Sequence, residues 1–189
     1  ILKGQEMIAN AQVTSTVAQL KAIDAATGTF RDMYDAFPGD MDDAATRLPN
    51  CGAAACGNGG GNNRLDVTSL AGGGEALDFF PHLQAAELVT NVNGDGYMDA
   101  DIAGNEIVPG YSNGAAALGV LANPRAGHYL SVTLTGTPGT ANLKPLDAAR
   151  MDRKIDDGNA ITGAAGGVDG VGACADANGD YNERSSAAD

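Results

Sequence analysis

The chain has 189 residues, with no Trp, four Phe and 27 Gly, a composition that predicts one loop-rich domain with a thin core. Its formal net charge of −13 argues against nucleic acid and anionic membrane surfaces as partners, because both favour clustered Lys and Arg. The sequence contains no run of the roughly 18 apolar residues that a membrane-spanning helix needs.

Residues 1–37 form one amphipathic, helix-favouring run that stops at Pro38-Gly39. A helix of this length would span about 55 Å, which exceeds the diameter of a small domain. We therefore expect part of it to need a partner outside the domain. The apolar positions of the run follow the helical period and include Val13, Val17, Leu20, Ile23 and Phe30.

Residues 38–74 read as loops, because they contain dense Gly and Asn clusters. Three cysteines are too few for a disulfide scaffold, and their spacing matches no zinc motif. One disulfide in an oxidising compartment fits their position in loops. Proximity favours Cys51 with Cys56, and Cys56 with Cys174 is the alternative pairing. Reduced, buried cysteines are the remaining interpretation.

The rest of the chain predicts a small antiparallel sheet between two helices, and therefore an α+β fold. Leu130, Val132 and Leu134 alternate with polar residues, which is typical of a half-buried strand. Ala148, Met151 and Ile155 define the expected inner face of the last helix. The predicted elements are a helix at 75–90, turns at 91–114, strands at 115–121 and 128–135, a helix at 145–156, and loop or short strand at 159–189.

Residues 91–101 are a candidate calcium site, because their oxygen-bearing side chains fall at positions 1, 3, 5 and 9 of an EF-hand-type loop with Gly96 at the sharp turn. The loop departs from the motif in having Asn91 at position 1 and Ile102 at position 12, where Asp101 would have to replace the usual carboxylate. The candidate ligands are Asn91, Asn93, Asp95, Asp99 and Asp101. The alternative is a turn cluster whose side chains cap their own backbone. A second acidic turn gives a weaker calcium candidate at Asp176, Asn178 and Asp180.

No pattern in the sequence predicts a catalytic site. Residues 110–114 match G-x-S-x-G around Ser112, but no acidic residue lies between Ser112 and His128, the only downstream histidine. A turn is the expected role of this segment. His82 lies among apolar neighbours and is expected to be a packed, hydrogen-bonded histidine rather than a metal ligand.

Four segments in this order resemble the bacterial prepilin-type proteins, which are the type IV pilins and the pseudopilins of type II secretion. Residues 2–11 (LKGQEMIANA) are similar to the stretch that follows the apolar N-terminal segment of these proteins. Residues 29–40 (TFRDMYDAFPGD) resemble the end of the long pilin helix. Residues 79–88 (FFPHLQAAEL) and 151–163 (MDRKIDDGNAITG) resemble two further segments of one branch of the family. The family's leader, peptidase site and apolar segment are not in this sequence.

The resemblance implies a non-enzymatic, structural subunit of a type IV pilus or pilus-like filament. It implies a pilin-like fold, in which a long N-terminal helix packs on a small antiparallel sheet, with a helical spine at 1–37 and a globular head domain at 38–189. The first half of the helix would polymerise with neighbouring copies and the second half would pack under the sheet, and the residues of this polymerisation and core helix are Val13, Val17, Leu20, Ile23 and Phe30. The implied partners are copies of the chain and the inner-membrane assembly machinery. The location would be the cell surface, or the periplasm before assembly. A pseudopilin that forms a short periplasmic filament is the alternative. A soluble calcium-dependent binding or adhesion module is a further class, and an enzyme would depend on Ser112.

Overall fold

The computed structural model describes residues 2–51, 56–66, 73–114, 125–135, 143–166 and 174–184. Within them the chain forms a long N-terminal helix, three short helices and a three-stranded antiparallel sheet, which is the predicted α+β class. The predicted strand at 115–121 lies outside the described residues. The elements are α1 (Leu2–Tyr34), α2 (Ala44–Arg47), α3 (Ala76–Ala85), β1 (Met98–Asp99), β2 (Asn105–Asn113), β3 (Ala126–Leu134) and α4 (Pro145–Ile155).

Helix α1 ends three residues earlier than predicted. Its last residue is Tyr34, and Asp35 adopts a left-handed φ of 53° that breaks the helix before Pro38. The chain then turns inward at Gly39, whose N–H donates to Nδ1 of His82. Gly39 has a φ of 89°, and a Cβ there would stand 2.5 Å from the carbonyl oxygen of Glu75. The exit from the helix therefore requires glycine at this position.

The core lies where α1 packs on α3 and on one face of the sheet. The buried residues of α1 recur at helical spacing, and the largest of them are Ile23 and Phe30. They join the cluster that contains the two adjacent phenylalanines of α3 and Ile107 of β2. A smaller cluster joins the earlier turns of α1 to α4 and consists of Val13, Val17 and Met151, with partly buried Leu20 and Val132 packed against it.

Strand β2 occupies residues predicted to be turns. It is the middle strand of the sheet, and Asn105–Asn113 pair antiparallel with Ala126–Leu134. Pro109 and Gly110 obscured this strand in the sequence, since both residues are unfavourable in strand interiors. β1 pairs with β2 only at Glu106 and Ile107, so at Pro109 β3 is the only described strand beside β2. A proline is tolerated at such an edge because one side of the strand needs no ladder hydrogen bond.

Helix α3 contains Pro81 in its second turn, where a proline cannot donate to the carbonyl of Leu77. The 91–101 loop packs directly against this carbonyl at Gly96. A Cβ at Gly96 would stand 2.5 Å from the Leu77 oxygen, and the backbone there has a φ of 88°. Glycine is therefore required at position 96 for both conformation and contact.

Carboxylates from outside the segment hold the glycine-rich residues 57–66, which form no helix or strand. Asp78 accepts from the N–H of Gly57 at 2.6 Å, and Glu75 accepts from that of Gly60 at 2.6 Å. Buried Asp40 accepts from the N–H groups of residues 62 and 63 at 3.0 and 2.5 Å. These acceptors satisfy backbone donors that would otherwise lack partners in an irregular segment. We call this segment the clasped loop.

Helix α4 begins with Pro145 at its first turn, as predicted, but its inner face differs from the predicted one. Ile155 is exposed and Ala148 is only partly buried, whereas Ala149, Met151 and Asp152 are buried. The sequence prediction that Ile155 lies on the inner face of α4 was wrong, because Asp152 is buried on that face and Ile155 is exposed. The Asp152 carboxylate accepts the hydroxyl of Tyr181 at 2.8 Å and the N–H of Gly158 at 3.1 Å.

Candidate functional site

The first described turns of α1 extend beyond the residues that pack on the domain. We call residues 3–12 the projecting turns. Eight of the ten are exposed and the other two, Ala9 and Gln12, are partly buried. Met7 and Ile8 are 72% and 62% exposed, which makes them the most exposed large apolar side chains described. Among the residues of the helix whose burial is described, Val13 is the first buried one.

The predicted core positions of α1 divide into two groups. Val13, Val17, Ile23 and Phe30 are buried, whereas Leu20 is only partly buried. Leu20 lies at the border between the core and a surface groove. Met33 follows the same helical period but is 56% exposed.

That groove lies along α1 between the helix, β3 and α4, and has a volume of about 940 Å³. We call it the α1–β3 groove. Lys21, Asp24, Gly28 and Arg31 lie along it on one stripe of the helix. Gly28 has no heavy atom within 4 Å of the position its Cβ would take. Partly buried apolar side chains line the other side, including Leu130 and Val132 of β3.

His128 lies at one end of the α1–β3 groove. Its ring stacks on Phe37 with centroids 3.7 Å apart, and its buried Nε2 has no hydrogen-bond partner. Burial, with a smaller contribution from the charge of Arg31, lowers the pKa of His128 to about 4. His128 is therefore neutral at pH 7. None of the ion pairs among the described residues uses Arg31 or Lys21.

The candidate calcium residues at 91–101 are engaged with one another and with α1. Asn93 donates to Asp99 at 2.9 Å, the N–H of Tyr97 donates to Asp95 at 3.2 Å, and Ser15 of α1 donates to Asp101. Asn91 has a left-handed φ of 63° and is exposed. These contacts are those of a self-capped turn docked on the helix.

Calcium at this loop stays a prediction. In the part of the chain that the structure describes, no group of three or more His, Cys, Asp or Glu residues is arranged to hold a metal ion. The carboxylate and amide oxygens present are nevertheless the ligand types that calcium prefers. Isothermal titration with CaCl2 tests the prediction, with Asp95→Asn/Asp99→Asn as the variant expected to lose the heat of binding.

The second candidate, at Asp176, Asn178 and Asp180, is a tight turn. Oδ1 of Asp176 accepts the N–H of Asn178 at 2.8 Å and that of Asp180 at 3.0 Å. The hydrogen bonds from these two N–H groups lower the pKa of Asp176. Asn159 donates to the carbonyl of Asn178 at 3.0 Å, which ties the turn to the end of α4. Calcium at this turn also stays a prediction.

Ser112 is not in a turn but on β2, where it is buried and accepts the N–H of Gly114 at 3.1 Å. In the sheet register, His128 lies opposite Tyr111, so Ser112 and His128 point to opposite faces. The structure does not bring them together. His82 is buried, with Nδ1 accepting the N–H of Gly39 at 2.9 Å and Nε2 lying 2.8 Å from the carbonyl oxygen of Gly57, which fixes a neutral, packed histidine.

Cys51 and Cys56 form a disulfide with Cα atoms 5.6 Å apart, which agrees with the pairing favoured by proximity. Cys174 is buried and takes no part in this bond. The disulfide closes the chain just before the clasped loop. It therefore fixes one end of an irregular segment that has few apolar residues.

Sequence reasoning missed the α1–β3 groove. Its residues come from positions near 20–31, 128–132 and 148–165, and no local pattern joins them. The only available signal was the pair of small residues Ala25 and Gly28 on a helix stripe that also carries Lys21 and Arg31. No described helix combines the length and apolar character needed to cross a lipid bilayer. Comparison with protein-family models, curated proteins and solved structures found no match to this chain.

Proposed function

We propose that the chain is a structural subunit of a pilus-like filament and that it assembles with copies of itself through the projecting turns of α1. The observation that carries the proposal is the exposure of Met7 and Ile8 on a helix that is continuous with the core of the domain. Burial of an apolar side chain of this size is worth about 1.5–3 kcal/mol, so both residues favour a partner. The α+β arrangement of a long helix on a small antiparallel sheet is compatible with the pilin-like fold that the sequence resembles.

The helix is suited to this role because it couples the assembly surface to the folded domain. Val13 and Val17 pack on Met151, and Phe30 lies in the main core thirteen residues further along. Force on the projecting turns would therefore pass into the core through one continuous helix rather than through a loop. We propose the cell surface, or the periplasm before assembly, as the location and the inner-membrane assembly machinery as a further partner.

The test is electron microscopy of material sheared from cells that make this protein, with mass spectrometry of the same fraction. Fibres that contain these peptides are the expected result. The chain's confinement to the envelope would instead favour the pseudopilin function, and its recovery only as a soluble monomer would contradict the proposal.

Two aspartate substitutions on the same helix sharpen this test. Ile8→Asp places a charge on the projecting turns and is expected to remove the chain from the fibres without unfolding the domain. Met33→Asp is the matched control, since Met33 is also exposed and apolar but lies where α1 packs on the domain. Equal incorporation of both variants would contradict assembly through the projecting turns.

A further inference from the structure

We infer that the α1–β3 groove receives the projecting turns of a second copy of this chain. The inference rests on the proposed function and names the surface that the projecting turns bind. An exposed apolar pair and a large groove with an apolar wall lie on the same molecule, and the two are complementary. When a patch and its complementary pocket lie at different places on one subunit, the contact is heterologous and propagates into an open filament.

A chain cannot place its own projecting turns in its groove. Ile8 and Gly28 lie twenty residues apart on one α-helix, which separates them by about 30 Å. The helix would have to break to bring them together, and both positions lie within one uninterrupted helix. Projecting turns that bind in the groove must therefore come from a second copy of the chain.

The two surfaces agree in length. The stripe of α1 that lines the groove runs from Leu20 to Arg31, about 18 Å, and the projecting turns at residues 3–12 are about 15 Å long, so they fit within the stripe. Ala25 and Gly28 lie within the stripe and leave space for a close approach, since Gly28 has no heavy atom within 4 Å of its Cβ position. Met7 and Ile8 can therefore reach the apolar wall formed by β3.

The charges agree as well. Lys3 and Glu6 precede the exposed apolar pair, and Lys21 and Asp24 line the groove with the same spacing of three residues. When the projecting turns lie antiparallel to α1 in the groove, Lys3 meets Asp24 and Glu6 meets Lys21, which gives two oppositely charged pairs. Such pairs set register more than affinity. A chain with a net charge of −13 repels its own copies, so a complementary contact of this kind is needed for close association.

Disulfide cross-linking in sheared fibres tests the inference. The double variant Ile8→Cys/Gly28→Cys is expected to give a ladder of covalent dimers, trimers and longer species on a non-reducing gel after mild oxidation. The native cysteines do not interfere, because Cys51 and Cys56 are bonded to each other and Cys174 is buried. A mixture of the two single variants is expected to stop at dimers, since each chain then carries only one end of the contact.

The matched control is Ile8→Cys/Ala22→Cys, because Ala22 is exposed on α1 but does not line the groove. It is expected to give no ladder. Fibres that contain the Ile8→Cys/Gly28→Cys chain without a ladder would overturn the groove inference and leave the filament function intact. Dimers formed by Ile8→Cys alone would also overturn it, because they indicate a symmetric contact between projecting turns. Absence of the wild-type chain from all fibres would overturn the filament function itself.

Discussion

Replacement of Phe30 by Ala tests whether α1 is anchored in the domain as described. The Phe30 side chain is 0% exposed, and its ring centroid lies 4.7 Å from that of Tyr34. Loss of the buried ring costs about 1.5–3 kcal/mol in transfer free energy, and the lost ring contact and the cavity add to this value. We therefore expect the free energy of unfolding to fall by about 3–5 kcal/mol. Alanine is the best helix former, so a loss cannot come from helix propensity.

Urea unfolding followed by far-UV circular dichroism measures this loss. The control is Met33→Ala, three residues further along the same helix, where the side chain is 56% exposed. Its free energy of unfolding is expected to stay within about 0.5 kcal/mol of the wild-type value. A loss below about 1 kcal/mol for Phe30→Ala, or equal losses for the two variants, would refute the packing of α1 on this core.

Three further predictions concern the part of the chain that follows α1. His128 has a pKa of about 4 when folded and an ordinary value of 6.5 when unfolded, so its contribution to stability is complete above pH 6.5 and is lost as the pH falls towards 4. Chemical denaturation at several pH values should show that the free energy of unfolding falls less with pH in His128→Gln than in the wild type. Identical losses of free energy in the two proteins would contradict this. Cys51→Ser/Cys56→Ser should lower the free energy of unfolding by about 2 kcal/mol, because the disulfide closes a short loop; a reducing agent should reproduce the loss in the wild type and leave the variant unchanged. Gly96→Ala should lower the free energy of unfolding by more than about 1 kcal/mol, because the φ of Gly96 is 88° and the backbone of Leu77 is close to its Cβ position. Gly94→Ala is the control, since no heavy atom lies within 4 Å of its Cβ position, and thermal melts should place it within about 0.5 kcal/mol of the wild type.

The long helix and the fold class could be predicted because they depend on local periodicity. Val13, Val17, Ile23 and Phe30 recur at helical spacing over several turns, and all are buried. The end of the helix was misplaced because the left-handed turn at Asp35 has no strong local signal, in contrast to the Pro-Gly that follows it. Helix boundaries depend on such single residues, whereas the body of a helix depends on many.

Strand β2 and the α1–β3 groove could not be predicted because tertiary contacts decide both. Pro109 and Gly110 disfavour a strand locally, but pairing with β3 along nine residues outweighs them. Ile155 follows the apolar period of α4, yet Asp152 takes the buried position because Tyr181 supplies a hydrogen bond from a segment almost thirty residues away. The candidate calcium loop was visible as a spacing of oxygens, but the docking of Asp101 on Ser15 depends on where α1 lies.

The clasped loop limits the insertions and deletions that this chain can accept. Surface loops usually tolerate insertions and deletions, because their ends are fixed and their middles are not. Here carboxylates from residues 40, 75 and 78 bind amides at positions 57, 60, 62, 63 and 66, so the contour length between those amides is fixed by distant parts of the chain. Gly59 adds a steric limit, because a Cβ there would stand 2.4 Å from the backbone of Asp40. Related chains should therefore conserve the length of this segment more strictly than its sequence at Arg64, whose side chain is exposed.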